Sequence, residues 1–348
     1  MTDVSVAIIG TGPHPDRETK DGYSMGYRHA NSYETASGCA VVACADIVEE
    51  NATDFASTFG LSSDAAYTDH LAMLEGENPD IVSICTPPST HLSLVTDCAD
   101  HDAVHAIHCE KPLAPTYGES KEIVDVCDTR GVQLSINLQN RYHPGSAAVK
   151  ELIQEGTIGS LERIEIARND LLQTGIHHID LANYVLNDEP VEWVLGQVHY
   201  PDEHIWYTNM PSERQSMGLW GYESGVHGFC STGEGTDVIG ARSRNRFIGT
   251  DGEIRGFGSY EIRTAEDPTW QDVSTEGPPG QDAAIQDVID CFEHEDLPIA
   301  NGRTALAATE IVFGIWESAA RRARINLPLE IEDNPLERLI EAGELPNQ

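Results

Sequence analysis

The sequence is poor in basic residues. Of its 348 residues, 58 are acidic and 21 are basic, which gives a formal net charge of -37 at pH 7. Such a charge would repel phosphate backbones and anionic membranes, so we expect neither nucleic acid nor membrane among the partners. The acids are dispersed along the chain rather than gathered in a tail. This dispersal favours a halophilic source, with a salt-rich cytoplasm that screens self-repulsion, over an acidic binding surface.

Paired cysteines and long apolar runs are also missing. None of the eight cysteines forms a CxxC pair, and several lie in apolar runs, as reduced core cysteines do. No apolar run approaches the roughly 20 residues that span a bilayer, and no basic region precedes an apolar stretch at the N-terminus. We therefore expect a cytoplasmic protein. His105, His108 and Cys109 resemble metal ligands, but strand alternation would split them between two faces, so we expect core packing and no metal site.

Short apolar runs alternate with helical patterns through the first 137 residues. The apolar runs are Val4 to Ile9, Ala40 to Ala45, Ile81 to Cys85, Val104 to Cys109 and Val132 to Asn137. Strands that alternate with helices of about 10 to 15 residues indicate a parallel, doubly wound sheet. Residues 1–137 are therefore predicted to form a nucleotide-binding Rossmann domain of the α/β class.

The pattern changes after Arg141. Strand candidates follow near Leu161 to Ala167, Glu192 to His199, Ser216 to Trp220, Gly225 to Ser231, Arg246 to Gly249 and Glu253 to Phe257. Helical patterns precede and follow them, and such a series is typical of a largely antiparallel sheet. We predict a second, α+β domain over 138–348.

Glycines after the first apolar run predict a dinucleotide site. Gly10-Thr11-Gly12 lies where a pyrophosphate would meet a helix N-terminus and a backbone without side chains. The position of the usual third glycine holds Pro15, which lacks the N–H needed to open the helix in the usual register. We therefore interpret 13–24 as an insertion and Gly26 as the displaced third glycine.

Asp46 completes the predicted cofactor site. It lies 20 residues after Gly26, close to the interval expected for the carboxylate that binds the adenosine ribose. An acid at this position accepts hydrogen bonds from both ribose hydroxyls and repels a 2′-phosphate. The cofactor is therefore predicted to be NAD rather than NADP.

The tripeptide Glu110-Lys111-Pro112 follows the apolar run that ends at Cys109. Only 4 of the basic residues are lysines, so a lysine here stands out. A lysine can shift its pKa and exchange a proton, whereas an arginine effectively cannot. By itself the tripeptide fits a catalytic cation beside a nicotinamide and a surface turn equally well.

Seven short motifs occur in a specific order along most of the chain. They are GTGP at 10–13, ACAD at 43–46, CTPPSTH at 85–91, EKPL at 110–113, RYHP at 141–144, GTIG at 156–159 and GIHHID at 175–180. Together they resemble the Gfo/Idh/MocA family of glucose-fructose oxidoreductases and inositol dehydrogenases. The resemblance implies a two-domain subunit in which the open sheet of the second domain, over 138–348, flanks the substrate and often forms the interface of an oligomer, here a homodimer or homotetramer. It also implies that Thr86, Pro87 and His91 border the cofactor, and that Glu110 and Lys111 lie near the nicotinamide and its ribose, with a Lys111-Pro112 peptide that can be cis.

The resemblance further implies a histidine at a helix start, with an aspartate four residues before it. His177 matches the histidine, but Gln173 occupies the position of the aspartate. A glutamine can hydrogen-bond but supplies no charge, so Asp180, one turn later, is the first candidate for orienting the imidazole, and Asp170 is the second. Alternatively, His177 only caps or packs the first turn of the helix. His178 points about 100° away and is expected to be structural.

These residues predict an NAD-dependent oxidoreductase that acts on a secondary alcohol carbon of a sugar, polyol or sugar derivative. His177 would move the hydroxyl proton, and Lys111 would stabilise the developing alkoxide. Arg141 and Tyr142, like Gln173, either contact this carbohydrate-like substrate or have a structural role. Two alternatives stay open. One is an enzyme that uses NAD in a redox cycle to eliminate a glycosidic substituent, and the other is a non-catalytic regulatory protein that binds NAD or a sugar.

Overall fold

The computed structural model describes residues 4–16, 24–199, 205–207, 210–213, 215–233 and 245–344. The chain divides into two compact units. The first unit comprises Met1–Ala114, Glu119–Asn137 and Gln281–Arg303, and the second comprises Pro115–Gly118, Leu138–Gly280 and Thr304–Gln348.

A parallel six-stranded sheet organises the first unit. Its strands are β1 (Val4–Ile9), β2 (Cys39–Ala45), β3 (Ala66–Tyr67), β4 (Ile81–Ile84), β5 (Ala106–Cys109) and β6 (Gln133–Ile136). The helices of this part of the chain are α1 (Met25–Thr35), α2 (Glu49–Thr58), α3 (His70–Glu77), α4 (His91–Ala99) and α5 (Tyr117–Arg130). The strand order is β3-β2-β1-β4-β5-β6, which confirms the predicted Rossmann sheet. In sheets of this kind ligands bind at the carboxyl ends of the strands where the order reverses, here at β1 and β4.

The rest of the described chain contains one large sheet and several helices. In chain order the elements are α6 (Pro144–Gln154), β7 (Leu161–Arg168), α7 (Ile176–Val185), β8 (Val191–His199), β9 (Ile205–Tyr207), β10 (Met210–Ser212), β11 (Gln215–Tyr222), β12 (His227–Thr232), β13 (Asn245–Gly249), β14 (Gly252–Phe257), β15 (Ser259–Thr264), β16 (Gln271–Asp272), α8 (Gly280–His294), α9 (Gly302–Arg321), β17 (Ile325–Asn326) and α10 (Pro335–Glu341). The sheet has the order β16-β15-β14-β13-β7-β12-β11-β8-β17. Only the β7–β12 pairing is parallel, so the predicted, largely antiparallel sheet is confirmed.

Helix α9 packs on one face of this large sheet. Gly196 and Gly218 leave space for Ile315, since a Cβ on either glycine would lie within 2.6 Å of an Ile315 atom. On the other face, Leu195 is 45% exposed and Met217 is 56% exposed. Within the described ranges, this face of the sheet is therefore exposed at β8 and β11.

Helix α8 corrects the predicted domain boundary. The prediction assigned all residues after 137 to the second domain, but Gln281–Arg303 belongs to the first unit. The physical reason is packing, because Ile285, Val288 and Ile289 are buried in one core cluster with side chains of α1, α2 and β1. The apolar stripe of a helix shows that one face is buried but not which sheet covers it.

Candidate active site

The loop between β1 and α1 forms a cradle without side chains. Gly10 and Gly12 have φ angles of 86° and 68°, in the left-handed region that glycine adopts without strain. A Cβ on Gly10 would lie 2.5 Å from Cγ2 of Thr86, and a Cβ on Gly26 would lie 2.8 Å from Cα of Thr11. Gly26 therefore lets α1 approach the loop, which is the packing expected of a third glycine. Of the insertion predicted at 13–24, residues 17–23 lie outside the described part of the chain.

Asp46 follows β2 and contacts this glycine loop. Its Oδ2 accepts hydrogen bonds from the backbone N–H of Gly12 at 2.9 Å and from Oγ1 of Thr11 at 3.2 Å. Its Oδ1 accepts one from the backbone N–H of Val48 at 2.9 Å. A glycine loop, a helix N-terminus and a fixed carboxylate are the groups that bind the pyrophosphate and ribose of a dinucleotide. The residues present therefore fit NAD.

The segment after β4 is supported by a buried histidine. His91 is fully buried, and its ring nitrogens lie 3.0 Å from the carbonyl oxygen of Leu113 and 2.9 Å from that of Thr86. Burial lowers the pKa of His91, although these carbonyl groups oppose the shift. His91 thus joins the loop that carries Thr86 and Pro87 to the residues just after Lys111. Its place beside a bound cofactor stays a prediction.

Glu110 is an internal anion. Its side chain accepts hydrogen bonds at Oε1 from Nδ2 of Asn137 (2.6 Å) and Nε2 of His29 (2.9 Å), and at Oε2 from the backbone N–H of Lys111 (3.2 Å). Burial by itself would raise the pKa of this carboxyl, but His29, Asn137 and the charge of Lys111 together lower it to about 2. The Lys111-Pro112 peptide is cis, which confirms the form that the resemblance implied.

Sequence reasoning missed His29 and Asn137. His29 is fully buried on α1, where Nδ1 lies 2.8 Å from Oγ of Ser83. Burial lowers the pKa of His29, but Cys85 and Glu110 outweigh it and raise the pKa to about 10. The sequence offered only a weak signal for these two residues, because each is a single polar residue in a segment whose other buried residues are largely apolar. Nothing in the sequence pairs either of them with Glu110.

In the second unit, a π-helical turn joins β7 to α7. It spans Leu171–Gly175, and its first N–H groups are capped by Asp170, whose Oδ1 accepts from the backbone N–H of Gln173 at 2.5 Å and from that of Thr174 at 3.0 Å. Turns of this kind are frequent at functional sites. Asp170 is therefore a cap of this segment, which corrects its candidacy for orienting His177.

The exposure of this segment separates its polar side chains. Gln173 and His177 are partly exposed, whereas His178 is buried, with Nδ1 2.6 Å from Oδ1 of Asn245 and its ring against Phe257. His178 thus has the structural contacts that were expected of it. The predicted contacts of Gln173 and His177 with a ligand stay predictions.

Arg141 and Asp180 form a buried ion pair. Nε of Arg141 donates to both carboxylate oxygens of Asp180, at 2.9 and 2.8 Å, and Nη1 and Nη2 donate to Asp188 at 2.9 and 2.6 Å. The side chains of Arg141 and Asp180 are both 0% exposed. A guanidinium enclosed in this way cannot reach a substrate. Of the two roles predicted for Arg141, the structure therefore supports the structural role and not the contact with substrate. Tyr142 is partly exposed beside it, and the predicted action of Asp180 on His177 stays a prediction.

Glu213 is a second buried acid that the sequence did not reveal. Its Oε1 accepts from the backbone N–H of Leu171 at 2.7 Å and from Oγ1 of Thr232 at 3.4 Å, and its Oε2 accepts from Nε1 of Trp316 at 3.2 Å. Burial and the charge of Asp170 raise the pKa of Glu213 to about 7, against the effect of these donors. The acid holds the first residue of the π-helical turn.

We expect Glu213→Gln to flatten the pH dependence of stability. Because the pKa of Glu213 is higher in the folded than in the unfolded chain, the folded protein binds the extra proton between pH 4.5 and about 7. Glu213 therefore lowers the free energy of unfolding as pH rises through this window, by up to about 3 kcal/mol at ~1.4 kcal/mol per pH unit. Urea unfolding at a series of pH values checks this. Parallel profiles for wild type and variant would show that Glu213 titrates normally.

The candidate metal ligands of the first unit do not form a cluster. His105 is exposed, whereas His108 and Cys109 are buried in β5, with Nδ1 of His108 3.2 Å from Oγ of Ser135. Across the described ranges, no group of three or more His, Cys, Asp or Glu side chains could hold a metal ion. In the same ranges, every helix is too short or too polar to cross a membrane.

Comparisons with known proteins agree with this architecture. Residues 4–138 match the family model described as an oxidoreductase family with an NAD-binding Rossmann fold (GFO_IDH_MocA). D-apiose dehydrogenase from Paraburkholderia graminis is 30% identical over 178 residues, 46% of each chain, so the match spans about half the length of that relative. Inositol 2-dehydrogenase from Rubrobacter xylanophilus is 25% identical over 278 residues, 74% of this chain and 76% of the relative.

A solved structure extends the fold match to nearly the whole chain. A levoglucosan dehydrogenase in complex with NADH and levoglucosan aligns with a TM-score of 0.78 at 19% identity, over 94% of this chain and 100% of that one. The fold is therefore shared along both units, while the match to the family model lies in the first. Residues 4–138 therefore resemble the NAD-binding Rossmann domain of the Gfo/Idh/MocA oxidoreductase family, and the glycine cradle and Asp46 agree with this resemblance.

Proposed function

We propose that the protein is an NAD-dependent dehydrogenase that acts on a secondary alcohol carbon of a sugar, polyol or sugar derivative. The observation that carries the proposal is the glycine cradle with Asp46 fixed on it, in the same unit as Lys111. The names of the relatives support the substrate class, because they are dehydrogenases of apiose and inositol. The fold match to a levoglucosan dehydrogenase agrees with this class.

Each predicted site residue then has a chemical role. The cofactor, when bound, supplies the acceptor of the hydride. The Gly10-Thr11-Gly12 loop would receive the pyrophosphate, and Asp46 would accept hydrogen bonds from the ribose hydroxyls. Lys111 would stabilise the alkoxide as a cation, and His177 would take the hydroxyl proton as a general base. Gln173 would hydrogen-bond the substrate or the imidazole.

A substrate panel tests the proposal. Sugars, inositols and sugar acids would be incubated with NAD in molar KCl, and NADH would be followed by fluorescence, with His177→Ala as the inactive control. Accumulation of NADH with one class would identify the substrate. Loss of a glycosidic substituent without NADH would support the eliminating alternative. Tight NAD binding with neither reaction would support a regulatory protein.

We expect NAD to bind at least about tenfold more tightly than NADP, a difference of about 1.4 kcal/mol. The reason is the charge of Asp46, which would face a 2′-phosphate. Asp46→Asn keeps an oxygen for the Gly12 N–H but removes the charge, so it should narrow the ratio by improving NADP binding. Calorimetric titration of both nucleotides measures this. Equal affinities in the wild type would remove the assignment of Asp46.

We also propose that the acidic surface is an adaptation to salt and that the open sheet face forms a homodimer or homotetramer in a cytoplasmic setting. The exposure of Leu195 and Met217 on that face supports the second part. Because salt screens the repulsion of a net charge of -37, the melting temperature should rise from dilute buffer to molar KCl. Thermal melts across a KCl series measure this, and a flat or falling series would reject the adaptation.

A further inference from the structure

A buried polar cluster surrounds Glu110 in the first unit. Its members are His29 on α1, Ser83 on β4, Glu110 after β5 and Asn137 after β6, and their exposure is 0%, 0%, 6% and 2% respectively. Gln281 on α8 joins them, since its Oε1 accepts a hydrogen bond from Nδ2 of Asn137 at 3.0 Å. The side chains of His29 and Asn137 contact the Glu110 carboxylate directly, while Ser83 contacts His29 and Gln281 contacts Asn137.

The two oxygens of Glu110 have different partners. Oε1 is held by His29 and Asn137, at 2.9 and 2.6 Å, whereas Oε2 accepts the backbone N–H of Lys111 at 3.2 Å. With the pKa of His29 raised to about 10 and that of Glu110 lowered to about 2, the two form an ion pair across the neutral range. The carboxylate therefore links the His29 side chain to the backbone of Lys111 through hydrogen bonds.

Stability alone does not account for the buried polar cluster. Replacing a buried ion pair with apolar side chains of similar volume is often neutral or stabilising, by about 1–4 kcal/mol. Oδ1 of Asn137 is also buried with no hydrogen-bond partner within the described ranges. Leaving such a group unsatisfied costs about 1–3 kcal/mol. An apolar core would avoid both costs, so the presence of polar side chains here points to a positional role.

His29 also connects to the cofactor cradle. It lies one turn after Gly26 on α1, and Gly26 is the residue that allows α1 to pack against Gly10 and Thr11. A rigid helix therefore runs from the glycine loop to His29, and the ion pair runs from His29 to Lys111. Through these contacts helix α1 is connected both to the glycine loop and, by way of Glu110, to the backbone of Lys111.

We propose that His29, acting through Glu110 and Asn137, is a positioning residue that sets the place and environment of Lys111 relative to the dinucleotide cradle. The proposal deepens the proposed function and rests on it only in naming Lys111 as the catalytic cation. His29 is 0% exposed, so the proposal assigns it no contact with substrate or cofactor.

Lysine labelling measures this without any turnover. The chain has only four lysines, so limited acetylation followed by mass spectrometry can compare Lys111 with Lys121 on α5 and Lys150 on α6 as internal references. Three variants are required. His29→Leu removes the ion pair, and His29→Gln retains a neutral donor in case the leucine variant does not fold. Glu110→Gln removes the negative charge and leaves only one side-chain oxygen, so it cannot accept hydrogen bonds from His29 and the Lys111 N–H on two separate oxygens.

The matched control is His108→Asn. His108 is as fully buried as His29, and its ring centroid lies 4.9 Å from that of His29. Its hydrogen bond goes to Oγ of Ser135 rather than to Glu110. A merely structural disturbance of this region should therefore affect the control as much as the His29 variants.

We expect His29→Leu and Glu110→Gln to change the Lys111 to Lys121 labelling ratio at least about threefold, equivalent to about 0.7 kcal/mol, with a smaller change for His29→Gln. His108→Asn should leave the ratio unchanged. On an identified substrate, the His29 variants should lower kcat more than they weaken NAD binding. An unchanged ratio in folded His29 and Glu110 variants, or an equal change in His108→Asn, would overturn the proposal.

The outcome separates this proposal from the proposed function. If the wild type reduces no NAD with any substrate but the ratio changes as expected, the positioning role stands and the dehydrogenase assignment fails. If the wild type is active and the ratio does not change, the positioning role fails and the dehydrogenase assignment stands.

Discussion

Lys111→Ala and His177→Ala are each expected to lower kcat by at least about a hundredfold, the lower end of what a general acid or base contributes. The two residues are proposed to act on the same hydroxyl, Lys111 as a fixed cation and His177 as the proton acceptor. Neither is proposed to hold the pyrophosphate or the adenosine ribose. The dissociation constant of NAD should therefore stay within a few fold of the wild-type value in both variants.

Conservative variants refine this test. Lys111→Arg keeps a cation that cannot exchange a proton, so partial activity would show that charge alone accounts for part of the effect. Gln173→Asp should raise activity if the missing carboxylate limits the rate, and Asp180→Asn should be milder than either alanine variant. Lys121→Ala is the control, since it removes a lysine of the same unit from α5. Turnover and NAD affinity would be measured for every variant, and unchanged turnover in both alanine variants would remove the catalytic assignment.

Arg141→Met is expected to lower the free energy of unfolding by about 3–5 kcal/mol. The substitution would leave Asp180 fully buried without its cationic partner. Asp188 should matter less, because its side chain is 33% exposed and can be hydrated. Since Asp180 lies on α7 three residues after His177, the variant should also reduce activity.

The double variant Arg141→Met with Asp180→Leu distinguishes the contribution of the ion pair to stability from any contribution to activity. It removes both charges, so it should recover much of the lost stability. Chemical denaturation of the wild type and of the single and double variants supplies the free energies. A single variant within about 1 kcal/mol of the wild type would show that the pair is hydrated in solution, since exposed ion pairs contribute no more than that.

The Rossmann part of the fold could be predicted because its signals are local. A strand buried on both faces is an apolar run, and helices between such runs require parallel pairing. Gly10 and Gly12 stand at positive φ angles that only glycine adopts without strain, so their role is determined by backbone geometry. The interval from Gly26 to Asp46 reflects the fixed length of one helix and one strand.

The interior of the candidate site depended on contacts between distant residues. His29 and Glu110 are 81 residues apart, and Arg141 is paired with acids 39 and 47 residues away. No short motif encodes such pairs, because a charged side chain can be solvated at a surface or paired in a core without any change in the local pattern. The sequence therefore identified Arg141 as a candidate residue but did not show that it is buried, and it did not identify His29 as a candidate at all.

The sequence by itself thus determined the parallel sheet and the glycine loop, and it is the source of the proposed roles of Asp46, Lys111 and His177. Each of these depends on the conformational limits or functional groups of single residues and on spacing within one strand or helix. Tertiary structure alone decided that α8 packs in the first unit, that Asp170 caps a π-helical turn and that the negative charge of Glu110 is paired with His29. These features arise from burial and long-range pairing, for which the free energy depends on all the neighbours of a side chain rather than on its neighbours in sequence.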